Sequence, residues 1–142
     1  MISTARRAVE IIPHSAEAWN NLGWCLDRAG RGGEAMDAYR AAIDRDGRFV
    51  MALGNLAAMQ DRADRPDEAL ALFERACDVE PDNLDVLNAL AGMYSRSGRY
   101  ADALATAERA LARHPHNPSA RGHRAMALLS FGRYEEGFRE YE

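Results

Sequence analysis

Any chemistry performed by this chain would have to draw on two cysteines, four histidines and a periodic set of charged residues. Cys25 and Cys77 stand alone, with neither CxxC spacing nor a disulfide framework. Both fall at apolar-face positions and are expected to be buried, inert thiols. The histidines are too scattered to make a metal site, and His114-Pro115-His116 lies in a linker. No nucleophile–base constellation, phosphate loop or metal quartet can be assembled. The expectation is therefore a chain that is not an enzyme and uses neither metal nor cofactor.

The charges do form a pattern. Arg31, Arg65, Arg99 and Arg133 share one register, and Arg28, Arg62 and Arg96 share another. Glu34, Glu68, Asp102 and Glu136 follow three residues after the first set. Cations near a helix C-terminus and anions near an N-terminus complement the backbone dipole. A structural role is the reading this favours, with an anion-binding edge as the alternative.

The period behind these ladders is 34 residues, and the small residues obey it too. Gly23, Ala57, Ala91 and Ala125 share a register; so do Ala35, Ala69, Ala103 and Gly137, and Pro13, Gly47, Pro81 and Pro115. A fixed period of this size marks an array in which each unit buries its apolar face only against its neighbours. Full copies run over 16–49, 50–83 and 84–117, with partial copies at 1–15 and 118–142, in a single array over 1–142.

Each copy divides into two helical segments. Leu84, Leu87, Leu90, Ala91 and Tyr94 recur mostly at spacings of three and four, which predicts a helix over 84–97. Tyr100, Ala103, Leu104, Ala107 and Leu111 predict a second over 100–113. Gly30, Gly98 and Gly132 sit where a left-handed residue can end the first helix. Pro81 and Pro115 stop the second. Gly or Ala at the crossing lets the two helices approach, while Trp19, Leu53 and Leu87, with Tyr39 and Phe73, fill the flanking core.

Trp19-x-x-Leu22-Gly23, then Ala35, Tyr39 and Ala42, in a 34-residue frame usually closed by Pro, resembles the tetratricopeptide repeat. The resemblance covers essentially the whole chain. It implies an all-α fold, a right-handed superhelical solenoid of antiparallel helix pairs whose first helices line a concave groove. The last copy departs from the pattern, with Arg121 and Arg124 at its two bulky apolar positions, and reads as a capping unit. Residues 1–12 read as a lone second helix with Ile2, Ala5, Val9 and Ile12 on one side, and 134–142 as a shortened one. The chain is thus expected to be a segment of a longer protein, with self-association into a homo-oligomer through the terminal helices.

With 47% hydrophobic and 28% charged residues the composition is that of an ordinary soluble protein. No 18-residue apolar run suggests a membrane span, and no signal-type core directs export, so a cytoplasmic location is expected. The net charge of −4 argues against a nucleic-acid partner. All 18 basic residues are arginine, which reflects base composition more than chemistry.

In the resembled family, ligands lie along the first helices. Carried onto this chain, the groove floor becomes Asn20, Asn21, Trp24, Asn55, Asn88 and His123, with Gly54, Ala58, Gly92 and Gly122 letting a ligand backbone come close. Asparagine offers both donor and acceptor, matching a peptide backbone without selecting its sequence. The partial Asn row resembles the ladder of protein O-GlcNAc transferases, though only Asn21 and Asn55 keep its register. Trp24 is the candidate anchor. The clamp by which other members hold acidic C-termini is not matched, since Asn55 alone agrees with it. The implied function is a non-catalytic scaffold binding a peptide or helix of a partner protein. Two alternatives stand beside it. The ending from Phe131-Gly132-Arg133 to Glu142 resembles the last repeat of bacterial proteins in which such an array recruits substrate for a glycosyltransferase-like domain. The other is a self-assembly module.

Overall fold

The computed structural model describes residues 1–133 and Arg139. Among the described residues there are eight helices and no strand: α1 (Ile2–Ile11), α2 (Ala16–Arg28), α3 (Gly32–Arg45), α4 (Val50–Arg62), α5 (Pro66–Val79), α6 (Leu84–Arg96), α7 (Tyr100–Arg113) and α8 (Pro118–Ser130). The chain divides into two compact units, Met1–Val79 with α1 to α5 and Glu80–Glu142 with α6 to α8. The two helices anticipated in the third copy fall within a residue of their expected limits.

Short turns fold each first helix back on its second, pairing α2 with α3, α4 with α5 and α6 with α7. The turns are built alike. The Arg31 amide donates to Leu26 O, Arg65 to Gln60 O, Arg99 to Tyr94 O and Arg133 to Leu128 O, at 2.8–3.0 Å. Each bond spans a residue with positive φ, namely Gly30 (77°), Asp64 (60°), Gly98 (77°) and Gly132 (74°). These are Schellman closures, in which a left-handed residue lets the chain return onto the last helical carbonyls. Asp64 is the sole non-glycine there among the described residues, and Asp tolerates the conformation better than most side chains.

The starts of the first helices follow a register that sequence reading overlooked. Ser15, Asn83 and Asn117 cap α2, α6 and α8, accepting the amides of Ala18, Val86 and Ala120 at 3.0–3.1 Å. The equivalent of α4 is Phe49, whose side chain makes no such bond.

Crossing points are closed by the small residues. Ala35, Ala57, Ala69, Ala91 and Ala103 have no exposed surface. Gly23 lies against the ring of Tyr39 so tightly that a Cβ there would come within 2.7 Å of two ring carbons. Tyr39 is 1% exposed, and burial, with Asp27 adding to it, pushes its phenol up to about 12.

Several expectations need correction. Trp19 is half-buried and packs on the edge of the core, whereas its equivalents Leu53 and Leu87 are fully buried. Its indole N–H needs a polar partner and donates to Pro13 O at 2.9 Å, which holds the ring edge outward. Cys77 is buried but Cys25 is only half-buried. On α1, Ala5 and Val9 are not left open: they pack on α2 in the core of the first unit, while Ile12 and its neighbour Ile11 remain exposed. Arg121 and Arg124 are half-buried in α8. The second helix expected over 134–142, and Glu136 with it, lies outside the described residues apart from the helical Arg139.

Candidate functional site

The sequence-derived site residues fall in both units. In the first, Asn21, Trp24 and Arg28 recur at three and four residues along α2, which places them on one face of that helix. All three are exposed, Trp24 by 45%. The Arg28 guanidinium lies 5.0 Å from the centre of the Trp24 ring, a cation–π contact that restrains both side chains. Two polar ties join this helix to α4. Asn55 Nδ2 donates to Asn20 Oδ1 at 3.1 Å, and Arg62 Nη2 pairs with Asp27 Oδ2 at 2.9 Å.

These ties change the part given to Asn20. It is only 2% exposed and its carbonyl oxygen is already engaged, so it orients Asn55 and does not meet a ligand. Because Asn55 spends an amide hydrogen on Asn20, its own carbonyl side is turned away from that contact. Asn55 is half-buried, Gly54 has nothing within 4 Å of where a Cβ would stand, and Ala58 is exposed. The face made by α2 and α4 therefore has a wide aromatic, two accessible amides and a shallow, open stretch of backbone.

The second unit is more closed. Asn88 Nδ2 donates to Asn117 Oδ1 at 3.2 Å, the same oxygen that caps α8. The His123 ring lies against Gly92, where a Cβ would be 3.3 Å from its Cε1. The space that Gly92 was expected to leave for a ligand is thus taken by an imidazole. Burial holds the His123 pKa below its ordinary value.

Three rungs of the first charge ladder form ion pairs. Arg31 is bidentate to Glu34, its Nη2 at 2.7 Å; Arg65 reaches Glu68 at 3.9 Å, and Arg99 meets Asp102 at 2.9 Å. All are about half exposed, so each contributes at most about 1 kcal/mol. These arginines open the second helices and face the carboxylate three residues on, which supports the structural reading of that ladder.

A third periodic set escaped the sequence reading. Arg75 Nη2 donates to Gly47 O at 2.8 Å and Arg109 Nη2 to Pro81 O at 2.6 Å, each second helix reaching back to the linker before its own first helix. Both donors and both acceptors are spaced by the repeat period, and that spacing was the available signal. Among the described residues no group of three or more His, Cys, Asp or Glu could hold a metal ion, and no helix is long and apolar enough to cross a membrane.

Repeated helix hairpins with this turn, crossing and linker chemistry define a helical repeat protein. Two tetratricopeptide-repeat family models match the sequence, one over residues 1–48 and 89–142 and the other over 62–106, and the chain belongs to that family. No curated protein matches it by sequence. Among solved structures it is similar to YrrB, described as a TPR protein with an unusual peptide-binding site, at 20% identity and TM-score 0.89, covering 99% of this chain and 73% of that one. It is similar to MamA at 18% identity and TM-score 0.85, covering 99% and 76%. A tetratricopeptide repeat protein from Parabacteroides merdae ATCC 43184 matches at 20% identity and TM-score 0.87, covering 99% and 56%. At such identities the likeness speaks for the fold alone.

Proposed function

We propose that this chain is a non-catalytic protein-interaction scaffold and that the α2/α4 face receives an extended segment of a partner protein. The observation that carries this reading is the pairing of an exposed Trp24, steadied by Arg28, with an Asn55 amide oriented by a buried Asn20. A large exposed aromatic anchors a partner side chain, while an oriented amide hydrogen-bonds its backbone. The peptide-binding description of YrrB lends support by analogy of fold. Asn88 and His123 are proposed as a secondary contact, weakened because Asn88 already donates to Asn117 and the His123 ring packs against Gly92.

Trp24→Ala combined with Asn55→Ala should reduce partner recovery from lysate at least tenfold while leaving the melting temperature within a few degrees. Undiminished recovery would show that the partner does not use this face. The enzyme-arm alternative rests on 131–142, of which only Phe131, Gly132, Arg133 and Arg139 are described, and no structural observation favours it.

A further inference from the structure

Arg28 stands at one end of the α2/α4 face and also lines a cleft of about 520 Å³ between the start of α1 and the end of α2. The cleft is bounded by Met1, Ile2, Ser3, Cys25, Arg28 and Ala29. This lining is mostly apolar, and among its side chains Arg28 alone is charged.

The repeat shows what a cation in this register meets elsewhere. One period on, Arg62 lies 2.9 Å from the carboxylate of Asp27, which the neighbouring first helix brings to it. Arg28 has α1 beside its helix instead, and α1 carries no acidic residue in its first turn. Among the described residues Arg28 meets the Trp24 ring and no carboxylate. Asp27, next to it along the chain, is committed to Arg62.

Neither the ring nor the helix ends neutralise this cation. The indole face leaves the guanidinium its charge and offers no oxygen to its five N–H donors. In the cleft the negative end of α2 meets the positive start of α1, where Met1 makes no side-chain capping bond. The two helix dipoles therefore offset each other, and the net charge of the cleft is positive.

We propose that the segment received by the α2/α4 face carries an aspartate or glutamate whose carboxylate seats on Arg28, with an adjoining apolar side chain in the cleft. The partner thereby supplies to Arg28 what Asp27 supplies to Arg62. This inference rests on the reading of the α2/α4 face given above and names the chemistry of its partner. An apolar or cationic segment would cover Arg28 without a counter-charge, so the site selects against it.

Random 12-residue peptides displayed on phage and selected on the whole chain supply the probe. Peptides with Asp or Glu beside Leu, Ile, Met or Phe should be enriched about threefold or more over the starting library. The tightest synthetic peptide is then titrated by fluorescence anisotropy. Replacing its acid by the matching amide should weaken binding about threefold or more, and salt should weaken the acidic form further than the amide. On an Arg28→Gln chain the two forms should bind equally, which separates charge pairing from the steadying of Trp24. Ala29→Phe should weaken binding severalfold by filling the cleft, whereas Arg48→Gln, in the linker before α4, should change nothing. No enrichment of acids, or a preference for the acid that survives Arg28→Gln, would overturn this proposal. The α2/α4 reading would still stand if those peptides were lost on combining Trp24→Ala with Asn55→Ala. Peptides indifferent to that pair as well, or failure to select any peptide, would overturn both.

Discussion

The hairpins α2/α3 and α4/α5 share one period and one fold, yet they differ at the cap, the turn, the crossing and the bulky core position. α2 begins with a capping Ser15 and α4 with Phe49; the turns use Gly30 and Asp64; the crossings use Gly23 and Ala57. Trp19 stands half-exposed where Leu53 has no exposed surface. The lesson is that one period tolerates different caps, turn residues and crossing residues, because each still closes the same backbone geometry.

The sharpest break of that comparison is at the bulky core position. Leu53→Ala is expected to cost about 3–5 kcal/mol, the price of a fully enclosed cavity. Trp19→Ala, despite the larger ring, should cost about 2–3 kcal/mol, because part of that ring already meets solvent. Urea unfolding of the two variants gives the order directly, and a larger loss at Trp19 would reverse the distinction.

Next in size is the pH response of Tyr39, which its counterpart Phe73 cannot share. Its folded pKa lies above the ordinary 10.0, so the unfolded chain releases the proton first. Stability is therefore fully present below pH 10 and declines as pH rises toward 12, by up to about 2–3 kcal/mol. Tyr39→Phe should flatten that alkaline decline in thermal melts, and an unchanged slope would assign it to other groups.

The smallest effect is at the turns. Asp64→Gly relieves a left-handed non-glycine residue and should stabilise by about 1 kcal/mol, while Gly30→Ala should destabilise by about the same amount. Equal shifts of the urea midpoint in one direction for both would contradict the shared turn geometry.

Much of the fold was legible in the residues. The glycine turns, the proline stops and the buried alanines were all read from spacing, because a helix of fixed rise returns each position to the same face. The candidate face was legible only in outline. Trp24 and Asn21 are exposed, but Asn20 turned inward to hold Asn55, and His123 filled the space beside Gly92. Residue type cannot announce such pairings, since an amide or an imidazole serves equally well against solvent and against a neighbouring helix. The Arg75 and Arg109 ties were missed for a related reason: a long side chain's acceptor lies on another element.

What the sequence alone determined is the alternation of helix and turn, since backbone sterics, capping and apolar spacing act over a few residues and repeat with them. Which side chains engage one another and which stay exposed was decided only in three dimensions. There Arg45 could stack on Trp19, and Pro13 could accept two donors. Those outcomes depend on distances between residues remote along the chain, and only packing supplies them.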